Sequence, residues 1–536
     1  MKFEVKNVNG YAYGAIQPSV LIYISGLTSD MGEQLKHLTK LKDSLPLFDD
    51  PTRFSGPAEL CNQKTAPALF VTIIDFLNRY CGDQRFTAIK VFREGNSICF
   101  SVPTLSTALI TENVVGVSSL LSKSNNSASP PELLKYLEIL KKRNRGLLPD
   151  GTNAGNFITA AAARRIPFKI FNSRLVIFGY GSASSIFDSS VTDQESLIGV
   201  HLAKSKADTN RLLKISGLPV PEQMRVQHIN DAVRFAKDIG YPVVLKPEAE
   251  EQGRGVFANI IDEVELRNCF EKSAAKYKNL ILEKFISGES YRVHLHNGKV
   301  LDAWRMNPAR VTGDGNSTIQ QLIEIENEKS ERKSIHSSLE TVPLDTVTEL
   351  NLQKLGLTCR SIPSAGEIVT LSATSNESRG GSPENYLHSL HPEVAELCSQ
   401  AANTLRLKVC AVDLISEDAS IALNRSNVAI CEINSQPQIG DYLSYPHIFD
   451  DLLKNLLCDC RVNLTISHEF KEVSINVFNK AVSDVSVQAS PLYLLTHGSP
   501  TQYYNEIKFI SDVLVEEREK IVGMLSNVFP INAVGK

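Results

Sequence analysis

The sequence predicts an α+β protein of several domains, on three observations. Short runs of β-branched and small apolar residues recur without helical spacing, as in Val20–Ile24, Ala411–Ile415 and Val428–Asn434. Between them lie segments whose apolar residues fall three and four apart, such as Pro67–Tyr80 and the stretch from Asn230 to Ile239. The chain also has 536 residues, 42% of them hydrophobic, which is too much for a single core and points to two to four domains.

Composition narrows the class. A net charge of −4 offers no electrostatic case for a nucleic-acid or membrane surface. The ten cysteines are scattered, and the one close pair, Cys458 and Cys460, lacks zinc spacing, as expected of a reduced, cytoplasmic protein. Met1–Val5 has no signal-peptide layout, and the longest apolar run, near Ala68–Leu77, is too short to span a bilayer.

In chain order, residues 1–149 alternate strand-like runs (Val20–Ile24, Thr87–Val91, Ser97–Val102) with helical ones and are expected to form a small α+β domain. Ser122–Pro131, rich in Ser, Asn and Pro, is expected to be an exposed connection. Residues 150–200 read as a small α/β unit with an Ala-rich helix, Phe157–Arg165, and a glycine turn at Gly179-Tyr180-Gly181.

The main domain is expected over 201–460. A helix from Lys206 to Ser216 is stopped by Gly217, Pro219 and Pro221, and a second starts at an N-cap candidate, Asn230, and stops at Gly240. The strand Pro242–Pro247 delivers Lys246 beside Gly253-Arg254-Gly255, a loop able to fold backbone N–H groups over phosphates. Taken alone, a G-x-G is more often a hairpin turn. No G-x-x-x-x-G-K-[ST] P-loop occurs. An apolar strand from Leu280 runs into Glu283-Lys284-Phe285-Ile286 and on to Glu289, the layout of an adenine slot followed by a ribose-binding carboxylate. Further on, Glu432 and Asn434 share one face of a strand while Cys431 and Ile433 pack behind, and Asp413 comes from a neighbouring strand. These are oxygen donors suited to magnesium, although on their own such acids also cap strand ends.

Lys246 with its glycine loop, Glu283 to Glu289, and Asp413 with Glu432-x-Asn434 follow the order and spacing of the ATP-grasp superfamily of carboxylate–amine ligases. The chain resembles most the ATP-grasp part of cyanophycin synthetases. The resemblance runs from about Gly151 to Asp441 and includes Arg211-Leu-Leu213, Gly217–Pro221, Pro308–Ile319, Leu322–Asn327 and Ser375–Gly381. It implies an ATP-grasp fold, two α/β lobes sandwiching ATP, flanked by an N-terminal α+β domain and a small C-terminal extension, 461–536. By this resemblance Lys206 and Lys246 hold the ATP phosphates under the Gly253–Gly255 loop, backbone groups of Lys284, Phe285 and Ile286 meet adenine, and Glu289 accepts ribose hydroxyls. Asp413, Glu432 and Asn434 carry magnesium, two ions by preference, with manganese an alternative. Arg292, Arg305 and Arg310 face the phosphates or an acyl-phosphate, one of the three being expected to form only a surface ion pair.

The activity implied is ATP- and Mg-dependent formation of an amide or peptide bond between an amino-acid or peptide carboxylate and an amine, through an acyl-phosphate, with release of ADP and phosphate. Such chemistry needs positioning and charge neutralisation and no Ser or Cys nucleophile, so Cys410, Cys431, His294, His296 and His391 are read as structural. Two alternatives stand beside it: a ligase of the glutathione-synthesis or D-Ala–D-Ala type, and a catalytically silent nucleotide-binding scaffold. The expected partners are small amino acids or peptides, and a second copy of the chain in a dimer or tetramer.

Three departures from the family pattern stand out. A Mur-ligase-like domain, with its own P-loop and second ligation, is expected to be absent. Gln438 replaces the glycine of the usual Asn-x-x-Pro-Gly run, and Ala249-Glu250-Glu251 puts acids into the phosphate loop. Beyond Tyr442 a helix from His447 to Leu457 is expected to pack back on the lobe. A strand Val473–Phe478 and a long amphipathic helix from Gln502 to Met524 follow, for a dimer contact or a lid.

Overall fold

A computed structural model of the chain describes residues 2–8, 10–13, 15–25, 35–36, 38–39, 42, 52–62, 64–122, 138–139, 142–143, 146–149, 151–179, 184–248, 255–329, 341–372, 375, 380–456, 461–471, 473–477, 484–500, 504 and 506–525. The chain is α+β and divides into two compact units, Met1–Asp188 with Leu453–Lys536, and Ser189–Leu452.

In the first unit a five-stranded sheet has the order Lys2–Val8, Ser19–Ser25, Ser97–Pro103, Ile89–Glu94, Phe54–Ser55. Its strands read as unbroken apolar runs because both faces are covered. Val20, Ile22 and Ile24 turn to one face, against the helix Ala66–Tyr80. Leu21 turns to the other, against a second sheet made by the C-terminal strands Ser474–Val477, Asp484–Ala489, Arg461–Ile466 and Glu506–Phe509. The C-terminal segment thus completes the N-terminal core.

The expected helix 502–524 is broken. Glu506–Phe509 is a strand, parallel to Arg461–Ile466, and only Val515–Leu525 is helical. Ile507 and Phe509 fall on alternate positions, and pairing along a sheet edge outweighs the helical spacing around them. The apolar run at Pro491 forms a helix, Pro491–His497. The expected Ser122–Pro131 connection lies, apart from Ser122, outside the described residues.

The first unit also holds a buried carboxyl outside any expected site. Asp83 accepts hydrogen bonds from Thr104 Oγ1 (2.6 Å) and the Leu105 N–H (2.8 Å). Burial pushes its pKa up to about 7, with nearby Asp75 adding to the rise and the two hydrogen bonds opposing it. Asp75 itself lies between Arg53 (3.3 Å) and Arg85 (3.2 Å). The neutral Asp83 acid therefore stabilises the fold fully below the ordinary carboxylate pKa, and that contribution is lost as pH rises through about 7. Denaturant melts between pH 4 and 8 should show wild-type stability falling by up to about 1.4 kcal/mol per pH unit relative to Asp83→Asn. Parallel curves for the two proteins would contradict this assignment.

The second unit carries two sheets. The smaller has the order Gln223–Val226, Leu280–Lys284, Val243–Pro247, Phe257–Ile260, backed by the helices Ile229–Ile239 and Glu263–Ala274. Asn230 lies inside the first of these helices, whose N-cap is His228 without a side-chain cap bond. The larger sheet has the order Ser382–Asn385, Lys299–Asn307, Glu289–His296, Val409–Ser416, Val428–Asn434, and one of its faces packs on the helix Pro392–Leu405. Residues 285–288 link the two sheets. The expected His447–Leu457 helix runs Pro446–Leu453, followed by a 3₁₀ turn. Among the described residues no helix is long and apolar enough to cross a membrane.

Candidate active site

The pairing register of the larger sheet decides what it can present. Asp413 lies opposite Arg292 on one side and Glu432 on the other, and Arg292 lies opposite Trp304. Directly opposed residues share a face, so these four side chains form a row. The next rung holds Asp302, His294, Ala411 and Asn434. Tyr291, Val293, Val412 and Leu414 turn the other way, into the core under the Pro392–Leu405 helix.

The row is tied together by charge. Arg292 grips Asp413 with two bonds, from Nε at 2.8 Å and Nη2 at 2.9 Å. Asn434 Nδ2 donates to Asp413 Oδ2 at 2.9 Å, which leaves the Asn434 Oδ1 as its acceptor atom. Lys206, at the start of its helix, meets Glu432 at 3.2 Å. From the smaller sheet Lys246 pairs with Glu283 at 2.8 Å, both buried, and Gln223 Nε2 donates to the same Glu283 oxygen. Burial alone would push the Lys246 ammonium down, but Glu283, Cys431, and Glu432 together raise its pKa above the ordinary lysine value.

That field reveals a bulge. Asp413 pairs with Glu432 while Leu414 pairs with Ile430, so Cys431 is an extra residue in its strand. Such a residue turns toward the same side as its neighbour, and Cys431 feels Glu283, Lys246, Asp413 and Glu432. Cys431 therefore faces the cleft beside Glu432 rather than packing behind it. Burial pushes its thiol up to about 12, so it stays protonated and is no nucleophile.

Two expected residues are turned away. Arg305 lies opposite Tyr291 on the helix-covered face, where its Nη2 meets Glu384 at 2.7 Å. Glu289 is two positions before Tyr291 and shares that face, which explains its electrostatic influence on Arg305. It is Ser290 that opens onto the row with Arg292. A shift of one residue exchanges the faces of a strand, and the spacing from Glu283 did not fix that parity. Glu289→Ala and Arg305→Ala should each change the affinity for Mg-ATP by less than about threefold, as expected of exposed polar groups away from a ligand. A tenfold loss in either, by titration calorimetry, would contradict the register.

The other expected residues divide as follows. Arg310 stands on a separate two-stranded sheet, Arg310–Thr312 with Ile368–Thr370, and lines a cavity of about 490 Å³ with Thr312, Lys329 and Ser382. The Lys284 side chain bonds the carbonyls of Gly240 and Tyr241, and the Lys284 and Phe285 N–H groups bond Glu222 and Pro242. The Ile286 N–H has no partner among the described residues. Gly255 sits at φ +70°, where a Cβ would come within 2.8 Å of the Tyr277 ring. Gly253, Arg254 and Ala249-Glu250-Glu251 lie outside the described residues.

The loop after Asn434 folds over the second rung. His294 Nε2 donates to the Gln438 carbonyl at 2.9 Å, and Ser190 Oγ donates to that of Pro437. The residue needing a left-handed backbone there is Gly440, at φ +90°, so Gln438 in place of glycine strains nothing. A Cβ on Gly440 would meet the Tyr445 ring at 2.6 Å, and Tyr445 lies 4.9 Å from Trp304, centroid to centroid. Beneath, the fully buried Asp302 accepts from the Ala303 N–H, Trp304 Nε1 and Asn385 Nδ2 at 2.8, 3.1 and 3.3 Å. The sequence holds one signal of this network: Asp302 is the lone charge within Val300–Trp304.

No three His, Cys, Asp or Glu side chains gather as a metal cluster among the described residues. The candidate set is two carboxylates and one amide oxygen on adjacent strands, all hard oxygen donors, which fit magnesium in kind.

Residues 205–374 match the family model of the carbamoyl-phosphate synthase L chain, ATP binding domain. Cyanophycin synthetase of Synechocystis sp. is 31% identical over 313 residues, 57% of this chain and 36% of that protein. The glutathione biosynthesis bifunctional protein of Streptococcus mutans is 30% identical over 243 residues, 44% of this chain and 32% of the other. The chain thus spans about a third of the length of these relatives. A bifunctional glutathione synthetase from Pasteurella multocida superposes with a TM-score of 0.44 at 20% identity, covering 65% of this chain and 52% of that one.

Proposed function

Because the chain carries an ATP-grasp domain, we propose that it is a ligase that uses ATP and magnesium to join an amino-acid or peptide carboxylate to an amine. The observation that carries the reading is the charge-paired row Arg292–Asp413–Glu432–Lys206, with Lys246 supplied from the facing sheet. Magnesium held there would supply neutralisation of the charge that develops during phosphoryl transfer. Asp413, Glu432 and the Asn434 Oδ1 would hold it, and manganese would satisfy the same donors.

The remaining residues bind and orient. Lys206, Lys246 and Arg292 neutralise the phosphates, and Gly253, Arg254 and Gly255 keep the phosphate-binding role that the sequence resemblance implies. The Ile286 N–H donates to the adenine edge, in the linker between the sheets. Glu289 and Arg305 have no part in this reading, and Arg310 is left to the cavity beside it. Transfer of the γ-phosphoryl group activates the substrate carboxylate as an acyl-phosphate, which the amine then displaces. A cytoplasmic setting and a homo-oligomer belong to the same reading, the first on the scattered cysteines.

Mass spectrometry of mixtures of amino acids, singly and in pairs, with Mg-ATP tests it. A product with the mass of two substrates less one water supports the ligase; ATP turnover with no such product, or none at all, refutes it.

A further inference from the structure

An amine enters this reaction as an ammonium ion and cannot attack until it loses a proton, so a ligase of the proposed kind needs a proton acceptor beyond the phosphates. The larger sheet shows where that place is. The adenine-binding linker 285–288 feeds into Glu289–His296, so the rungs run outward in order: Ser290 with Met306, then Arg292 with Asp413, then His294 with Asp302. The metal donors span the second and third rungs, Asp413 and Glu432 on one and Asn434 on the other. The amine therefore arrives past the third rung, which the loop after Asn434 covers.

At that rung His447, at the start of the helix Pro446–Leu453, places Nε2 3.4 Å from Asp302 Oδ2. The Asp302 side chain has no exposure to solvent, whereas that of His447 is 49% exposed. Asp302 is already fixed by Ala303, Trp304 and Asn385. A buried carboxylate, immobilised by three donors and holding one edge of a solvent-facing imidazole, is the arrangement that orients a general base. With Nε2 as the N–H that faces Asp302, the lone pair lies on Nδ1, which has no hydrogen-bond partner among the described residues. Strand spacing puts Asp302 about 12 Å from Asp413 along the sheet, with the Glu289–His296 strand between them. His294 cannot serve: it is buried, its Nε2 is bonded to Gln438, and burial lowers its pKa to about 4.

We propose that His447, positioned by Asp302, is the base that takes the proton from the attacking amine, a role that rests on the ligase reading above. The nitrogen lone pair forms the C–N bond to the acyl carbon, the C–O bond to phosphate breaks, and phosphate leaves with that electron pair. Of the two protons the ammonium must lose, one passes to His447 Nδ1 before attack and from there to water, and the second leaves the nitrogen with the departing phosphate.

Hydroxylamine separates this step from activation, because it is largely unprotonated at neutral pH and attacks an acyl-phosphate without a base. Hydroxamate formation with Mg-ATP would be measured across single amino acids, and amide formation across pairs of them, for wild type, His447→Gln and His447→Ala. The expected result is that both variants keep hydroxamate formation within twofold of wild type and lose amide formation by about 100-fold. Added imidazole should restore amide formation to His447→Ala, since its place is open to solvent. Equal loss of hydroxamate and amide, or full amide formation in both variants, would overturn the assignment of His447. Amide loss without rescue by imidazole would reduce His447 to a structural contact and overturn it as well. No hydroxamate from wild type with any amino acid would refute the ligase reading itself, and this inference with it.

Discussion

Glu432→Gln should lower ATP-dependent product formation by about 10²- to 10³-fold, the usual effect of removing one charged group aimed at a transition state. The substitution keeps the shape and leaves an amide oxygen for the metal. It removes the charge that Lys206 meets at 3.2 Å and that faces Lys246 across the cleft. Stability should change little, because the Glu432 side chain is 30% exposed and no core residue depends on it. Turnover of the variant within tenfold of wild type would remove Glu432 from the metal site.

Lys246→Met should act on both stability and binding. Lys246 and Glu283 are less than a tenth exposed, and taking away one partner leaves a buried carboxylate held only by Gln223. The expected cost is about 3–5 kcal/mol. Adding Glu283→Leu should recover most of that, because replacing a whole buried pair with apolar groups is often neutral. Binding of Mg-ATP should stay absent in the double variant, since the phosphate ligand is gone. Recovery of nucleotide binding together with stability would show that the pair serves the fold alone.

The strands that carry the site were legible for a plain reason. Ala411–Ile415 and Val428–Asn434 are packed on one side by the Pro392–Leu405 helix, and such strands advertise themselves as apolar runs broken only where chemistry is placed. Parity was harder. Glu289 and Ser290 are both credible from composition, and only the observed register assigns one to each face. The same holds for Arg305, whose neighbour Trp304 took the site face instead. The bulge that turns Cys431 into the cleft has no side-chain signature, since an extra residue in a ladder is a matter of backbone pairing. Asp302 and His447 are 145 positions apart, and nothing local announces their meeting. Nor does the C-terminal segment reveal that Ile507, Ile521 and Met524 share a core with Val8 and Leu21.

The central claim is that a carboxylate is activated through phosphate, and oxygen-18 tracing tests it most directly. Amino acids labelled with oxygen-18 in the carboxylate would be turned over with Mg-ATP and the released phosphate analysed by mass. Phosphate carrying one labelled oxygen for each amide formed is the predicted result, because the acyl oxygen leaves with the phosphoryl group. Unlabelled phosphate, or release of AMP and pyrophosphate, would contradict it.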